Sequence, residues 1–504
     1  MEIWKSIAED QKLIERNYKM KRILTILFTI LALTGCSTVI SENINSDTSS
    51  SVVTVGKAKD DSYSVSDSVQ VALSDEDVKI TKEGTYVLQG TLNGSVIVEV
   101  SDSEDVQLVL DNVTINSGDF AGIYIVEGDE ITITLVDGSV NTISDSNTYT
   151  QIDDNEVDAL IYSKADLIIN GEGTLNLNSD YNHGIVSKDD LVIGNGTYNI
   201  DVAGVGLKGK DLLQILDGNF KVIAGKDGLK SDNDEDEDRG KVVIENGIFV
   251  IESQGDAIYG YRLVEINNGS FTIKTAQNST MTSYKGIKSD MSVLITGGEF
   301  EINTADDSIH SDVDIQVDNG TFDLTSSDDS IHADSKLVIN GGNYTVDAHE
   351  GLEATYIVIN DGDIVINASD DGINAAQKVN TYTATVEING GNITINMAQG
   401  DTDGVDSNGY VIINGGTISV NAQNSFDAEL GSEFNGGTLI INGQEVDEIP
   451  ADMMAGGMGG GFGQMGQPSG MPNRTMPEFS GEMPTEGMFG PQNDSTGSHR
   501  FTRG

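Results

Sequence analysis

From about Tyr63 onward the chain alternates apolar and polar residues. "GTYVLQGTLNGSVIVEV" (84–100) and "DVQLVLDNVTI" (105–115) send every second side chain to one face, the period of a β-strand. No stretch between there and Gly443 carries a helical period. Apolar strands repeatedly end in a turn, as in "LVINGG" from Leu337, "VEINGG" from Val386, "VIINGG" from Val411 and "LITGGEF" from Leu294. Asn-Gly and Gly-Gly supply the positive φ that such a turn needs.

A second landmark recurs between these turns. It reads "DALIYSK" from Asp158, "HGIVSK" from His183, "VGLKGK" from Val205, "DGLKSD" from Asp227, "DAIYGY" from Asp256 and "KGIKSD" from Lys285. It continues as "DSIHSD" from Asp307, "DSIHAD" from Asp329, "EGLEAT" from Glu350, "DGINAA" from Asp371 and "DGVDSN" from Asp403. The step is about 22 residues, lengthened where loops such as "DNDEDEDRG" and "AQNSTMTSY" are inserted. A unit this small cannot bury its own apolar face, but stacked units can, one coil per layer at about 4.8 Å. The expected fold is all-β, a right-handed single-stranded parallel β-helix.

Stacking turns each repeat position into a column. In "D-G-I-x-S-D" the Ile column and the Ser or Ala two residues on face inward. The x column then faces out, as Lys208, Lys230, Tyr259, Lys288, His310, His332, Glu353, Asn374 and Asp406. Flanking acids lie on neighbouring coils, and two carboxylates at one coil spacing repel by roughly 3–4 kcal/mol at an effective dielectric of 20. Calcium takes six to eight hard oxygen ligands and would offset this. The candidate calcium ligands are Asp227, Asp232, Asp256, Asp290, Asp306, Asp307, Asp312, Asp328, Asp329, Asp334, Asp370 and Asp371. Without calcium, removing Asp307 and Asp329 should relieve repulsion. The outward column supplies glycan-binding candidates: Lys208, Lys230, Tyr259, Lys288, His310 and His332. The same histidines could pair on a metal. The acid-rich loop from Asp232 to Gly240 lacks the glycine and the final glutamate of an EF-hand, and that reading is rejected.

Composition narrows the partners. The 504 residues hold 81 acidic against 28 basic side chains, a formal charge of −53, which disfavours nucleic acid and anionic membranes. The single cysteine, Cys36, excludes an intrachain disulfide. It ends "MKRILTILFTILALTGC", where Lys21 and Arg22 precede a short apolar run and the lipobox-like "LTGC". Cys36 is therefore the expected lipidation site, placing the protein on the outer face of a bacterial membrane through its lipid alone. Residues 1–36 read as an upstream segment plus signal peptide, 37–62 as a flexible tether, 63–446 as the β-helix, and 447–504 as a disordered Gly/Met/Pro-rich tail. The one tryptophan, Trp4, precedes the signal, so removing it leaves no Trp on which a neutral sugar could stack.

In the order of its motifs, from "GTYVLQGTLNGSVIVEV" through "DALIYSKADLIINGEGTL", "HGIVSKDDLVI" and "DGLKSDNDEDEDRG" to the later "DGI" coils, the chain resembles the bacterial carbohydrate-binding-domain family of parallel β-helix proteins. That resemblance implies a polysaccharide-lyase-like fold, bound calcium and non-catalytic binding of an acidic polysaccharide such as polygalacturonate. The alternatives are a pectate-lyase-like enzyme or a structural, adhesive rod. A lyase needs a base to remove a proton beside the uronate, and Lys208, Lys230 and Lys288 are the candidates.

Overall fold

The computed structural model describes residues 58–276, 283–400 and 402–450. Cys36, the signal segment and the Gly/Met/Pro-rich tail lie outside the described residues. Within them stand 43 strands, from Val69–Leu73 to Gln444–Val446. A representative coil is Ile309–Ser311, Asp314–Val317 and Thr321–Ser326, here called the first, second and third faces. Each pairs in parallel, residue for residue, with the coils before and after: Ile287↔Ile309↔Ile331 on the first face, Val293↔Ile315↔Leu337 on the second, Phe300↔Phe322↔Tyr344 on the third. This is a parallel β-helix. Among the described residues no helix is long and apolar enough to cross a membrane.

The core forms because every coil contributes the same inward positions. Leu207, Leu229, Ile258, Ile287, Ile309, Ile331, Leu352, Ile373 and Val405 are fully buried, as are Ser187, Ser231, Ser289, Ser311, Ala333 and Ala354. The buried serines satisfy their hydroxyls on backbone carbonyls at the bend to the second face, as Ser311 does on Met291 at 3.0 Å.

A third inward column went unread in the sequence. Tyr198, Phe220, Phe249, Phe271, Phe300, Phe322 and Tyr344 form one ladder of rings with centroids 4.6 to 4.8 Å apart, each pair within 5° of parallel. The coil rise imposes the face-to-face stack. A glycine two residues before each ring makes it possible. At Gly269, φ is +133° and an added Cβ would lie 2.9 Å from the Phe271 ring.

The Asn-Gly-Gly turns divide the labour differently from the expectation. The second glycine carries the positive φ, 108° at Gly342 and 88° at Gly391 and Gly416, while the asparagines stay outside that region. Their side chains instead form a ladder. The Nδ2 groups of Asn360, Asn389, Asn414 and Asn435 donate to the Oδ1 of the asparagine one coil back at 2.8, 3.0, 2.8 and 3.0 Å.

The two ends differ from the body. The last residues of the expected tether lie on the rod, with Ala58 packed on Ile168, Val192 and Leu216, and with the Asp60 carbonyl accepting from Asn170 Nδ2 at 3.0 Å. At the other end Gln444–Val446 folds back antiparallel on Thr438–Ile441, through Asn442 and Gly443 with φ of 49° and 77°. Positive φ at both positions is the type I′ hairpin turn.

Candidate functional site

The outward column of the first face is continuous. Register pairs Tyr124↔Tyr162↔Val186↔Lys208↔Lys230↔Tyr259↔Lys288↔His310↔His332↔Glu353↔Asn374↔Asp406↔Asp427. These side chains leave the coil on the expected side, yet all but Asp427 at the end of the column are buried or half-buried. His310, Glu353 and Asn374 are 9, 6 and 9% exposed. The reason lies in the two acid columns that flank them.

The column that begins each repeat is a row of hooks. One oxygen of Asp227, Asp256, Asp307 and Asp371 accepts the backbone N–H of the matching residue one coil on, at 3.0, 2.8, 3.1 and 3.1 Å. The other oxygen turns to the x residue three positions later: Asp227 to Lys230 at 2.8 Å, Asp307 to His310 at 2.7 Å, Asp329 to His332 at 3.0 Å. The column after the serine closes from the other side. Asp232 meets Lys208 at 2.7 Å, Asp290 meets Lys288 at 3.4 Å, Asp312 meets His310 at 2.9 Å, and Asp334 meets His332 at 3.3 Å. Tyr259 donates its hydroxyl to Asp290 at 3.1 Å, and its ring is sandwiched by Lys230 and Lys288 at 4.9 and 5.3 Å. Lys285 occupies an acid position and holds Asp306 and Asp307, both at 2.7 Å.

The repulsion expected between Asp307 and Asp329 is thus met by backbone donors and by cations of the chain itself. Burial pushes the Asp307 carboxyl up, but hydrogen bonds from His310, His332 and Lys285 outweigh it and hold the group far below the usual range. Burial pulls His332 down, but Asp307, Asp329 and Glu353 win and raise it to about 10. Lys285 and His332 are thereby fixed as positive charges against Asp307 and Asp329 in the middle of the first face.

Further along, the balance is lost. Glu353, Asn374, Asp406 and Asp427 replace the cations, beside Glu350, Asp371 and Asp403. Burial, then Asp371, Asp427 and Asp403, raise Asp406 to about 7. Burial likewise raises Asp371 and Glu350. A second such group was missed in the sequence. Asp166, Asp189 and Asp190 bring ligand oxygens within 4.8 Å of one another, and burial with the two neighbours raises Asp190 to about 7. Comparable groupings join Asp306, Asp307 and Asp328, and His349, Glu350 and Asp370. Asp406 closes the x column read from the sequence but was not among the candidate ligands, and one further coil adds Asp427. The Asp166 group falls on the second face, outside the columns that were aligned.

The candidate bases are poorly placed for catalysis. Lys230 is kept above its ordinary value: burial opposes this, but Asp227, Asp232 and Asp256 outweigh it. A base must shed its proton, and this environment holds it. The arginines of the coils are also committed: Arg239 to Asp189 and Asp211, Arg262 to the carbonyls of Asp236 and Asp234. Arg262 thereby pins the acidic loop 232–240.

A sequence profile of the carbohydrate-binding domain-containing protein family matches residues 74–330 and 327–449. A carbohydrate-binding domain-containing protein of Acetivibrio thermocellus is 34% identical over 250 residues, 49% of this chain and 87% of that one. Among solved structures, a polysaccharide lyase-like protein from C. thermocellum, a gadolinium derivative, shares 33% identity over 45% of this chain and 96% of its own, with a TM-score of 0.41. With the profile spanning nearly every described coil, the chain belongs to the carbohydrate-binding domain-containing protein family.

Proposed function

We propose that the protein is an exported, lipid-anchored, calcium-dependent binder of acidic polysaccharide of the polygalacturonate kind, without catalysis. Two polyanions repel, and a net charge of −53 makes the repulsion severe. Calcium would supply the bridging charge between protein carboxylates and uronates. The observation that carries the reading is the half-buried Asp406, set among Asp371, Asp403 and Asp427, where burial and these three neighbours raise it to about 7. Their hard oxygens fit calcium, as do those of Asp166, Asp189 and Asp190. Asp307 and Asp329 are less suited, because Lys285 and His332 already hold their charge. The absence of a free base among Lys208, Lys230 and Lys288 supports binding over elimination.

The test is a pull-down against a polysaccharide panel with and without chelator, with absorbance of unsaturated products read in the same tubes. Chelator-sensitive capture of polygalacturonate with no new absorbance is the expected result. Capture that ignores chelator removes the calcium reading, and rising absorbance removes the non-catalytic one. The anchor has its own test: Cys36→Ala should abolish lipid labelling.

A further inference from the structure

The outward column of the first face is largely sealed by its acidic neighbours, and the open aromatic surface lies elsewhere. Among the described residues only two aromatic side chains are more than a third exposed, Tyr382 at 37% and Tyr410 at 42%. Tyr410 lies on the second face and Tyr382 on the loop that leads into it. One outward column there runs Asp314↔Lys336↔Tyr356↔Thr385↔Tyr410. Tyr356 and Tyr410 are two coils apart, about 10 Å.

Between them the coil is roofed. Thr385 is only 6% exposed, because the inserted loop 376–384 folds over that level. The loop carries Tyr382 onto Tyr356, with ring centroids 5.4 Å apart and planes 21° apart. It is a built element. Gln377 accepts the Ala384 N–H at 2.9 Å and donates to the Tyr382 carbonyl at 2.8 Å. Thr355 Oγ1 accepts the N–H groups of Lys378 and Val379 at 3.0 and 3.1 Å. Fixed loop geometry holds the Tyr382 ring in place before any ligand arrives, which lowers the ordering cost of binding.

The cation beside Tyr356 is not spent on an acid of the chain, unlike the lysines that line the first face. Lys208, Lys230, Lys285, Lys288 and Lys378 each sit in an ion pair with an acid of the chain. Lys336 makes no ion pair with a described carboxylate, and its ammonium stands 5.9 Å from the Tyr356 ring centroid. Asp314, next in the column, feels its field, and Glu387 is taken by the Tyr356 hydroxyl. An unpaired ammonium beside Tyr356, on which the exposed Tyr382 ring stacks, is what a sugar carboxylate and the C–H face of its pyranose ring would meet.

We propose that Lys336, Tyr356, Tyr382 and Tyr410 form a subsite for a uronate-bearing glycan segment, the rings stacking on sugar faces and Lys336 taking a carboxylate. The assignment rests on the acidic-polysaccharide reading above and adds where the polymer lies. It is tested by affinity electrophoresis in calcium, with polygalacturonate and its methyl-esterified form as probes. Tyr382→Ala/Tyr410→Ala should weaken retardation by both polymers about tenfold, and Tyr382→Phe/Tyr410→Phe should retain it. Lys336→Met should weaken polygalacturonate alone, about threefold, as befits an exposed ion pair. Melting temperatures are read alongside, and the Phe pair and Lys336→Met leave the loop's anchors intact. If the parent binds polygalacturonate and neither the Ala pair nor Lys336→Met changes it, the subsite is wrong while the acidic-polysaccharide reading stands. If the parent binds neither polymer, both fall together. If Lys336→Met weakens both polymers equally, the carboxylate assignment is overturned.

Discussion

Coils 285–334 and coils 350–428 carry the same acid column and neutralise it differently. In both, one carboxylate oxygen is taken by the backbone N–H of the next coil, 3.1 Å from Asp307 and 3.1 Å from Asp371. What separates them is the neighbouring column, which holds Lys288, His310 and His332 in the first region and Glu353, Asn374 and Asp406 in the second. The field then reverses. Asp307 is held far below the usual carboxylate range, and Asp406 is raised to about 7. A backbone donor orients a buried carboxylate, but only a cation decides its charge, and the second region spends its Lys378 on Glu353 and brings none to Asp406.

The largest expected effect breaks the first region. Asp307→Asn leaves Lys285, His310 and His332 around a neutral amide, and should cost about 3–5 kcal/mol in chemical denaturation. The sequence alone ranks that substitution as a relief of repulsion, so its sign decides between the two accounts. Asp406→Asn in chelator should be neutral or stabilising.

Calcium sharpens the contrast from the other side. At a hundred times its dissociation constant it should stabilise the fold by about 2.7 kcal/mol. Asp406→Asn should remove much of that gain, and Asp307→Asn should leave the increment in place. Equal calcium responses in the two variants would erase the distinction.

The pH profile of melting in chelator separates the regions without mutation. Asp406 has a folded pKa above its unfolded one, so its effect is a loss of stability as pH rises from about 4 to about 7. His332 is also raised, to about 10, so its contribution is complete below about 6.5 and lost as pH climbs towards 10. Asp307 is depressed, and its contribution disappears only as pH falls below about 4. Asp406→Asn should reduce the first slope to the share that Asp190 contributes and keep the second.

The smallest effect is a control. Asn389→Ala removes one rung of the amide ladder, from Asn360 on one side and Asn414 on the other. It should cost about 1 kcal/mol, with no change in calcium or pH response.

The fold was legible because the repeat places one isoleucine or leucine per coil, and a period survives insertions such as the loop after Ala375. The ring ladder was equally visible in "GNF", "GIF", "GSF", "GEF" and "GTF", but the alignment had been fixed on another face. The site was half legible. Alternation gives the direction of Lys230 or His310, but their burial depends on Asp227 and Asp307 folding back over three residues, a contact no periodicity encodes. Nor does composition reveal that a carboxylate finds its donor in the backbone of the following coil. Tyr382 was hidden for the opposite reason: it sits on an insertion, where the register that organised everything else is suspended.

The antiparallel turn-back of Gln444–Val446 on Thr438–Ile441 has a consequence for assembly. A parallel solenoid ends in strands with unpaired amides and carbonyls, each a template on which another copy could add. On the third face the chain occupies that edge with itself, in the opposite direction, and seals it with Val446 and Ile449 against the last core residues. A second molecule arriving there finds a reversed strand, out of step with the stack. Growth that continues the parallel register is opposed along that face, so a copy stacked end to end there should gain little from main-chain pairing.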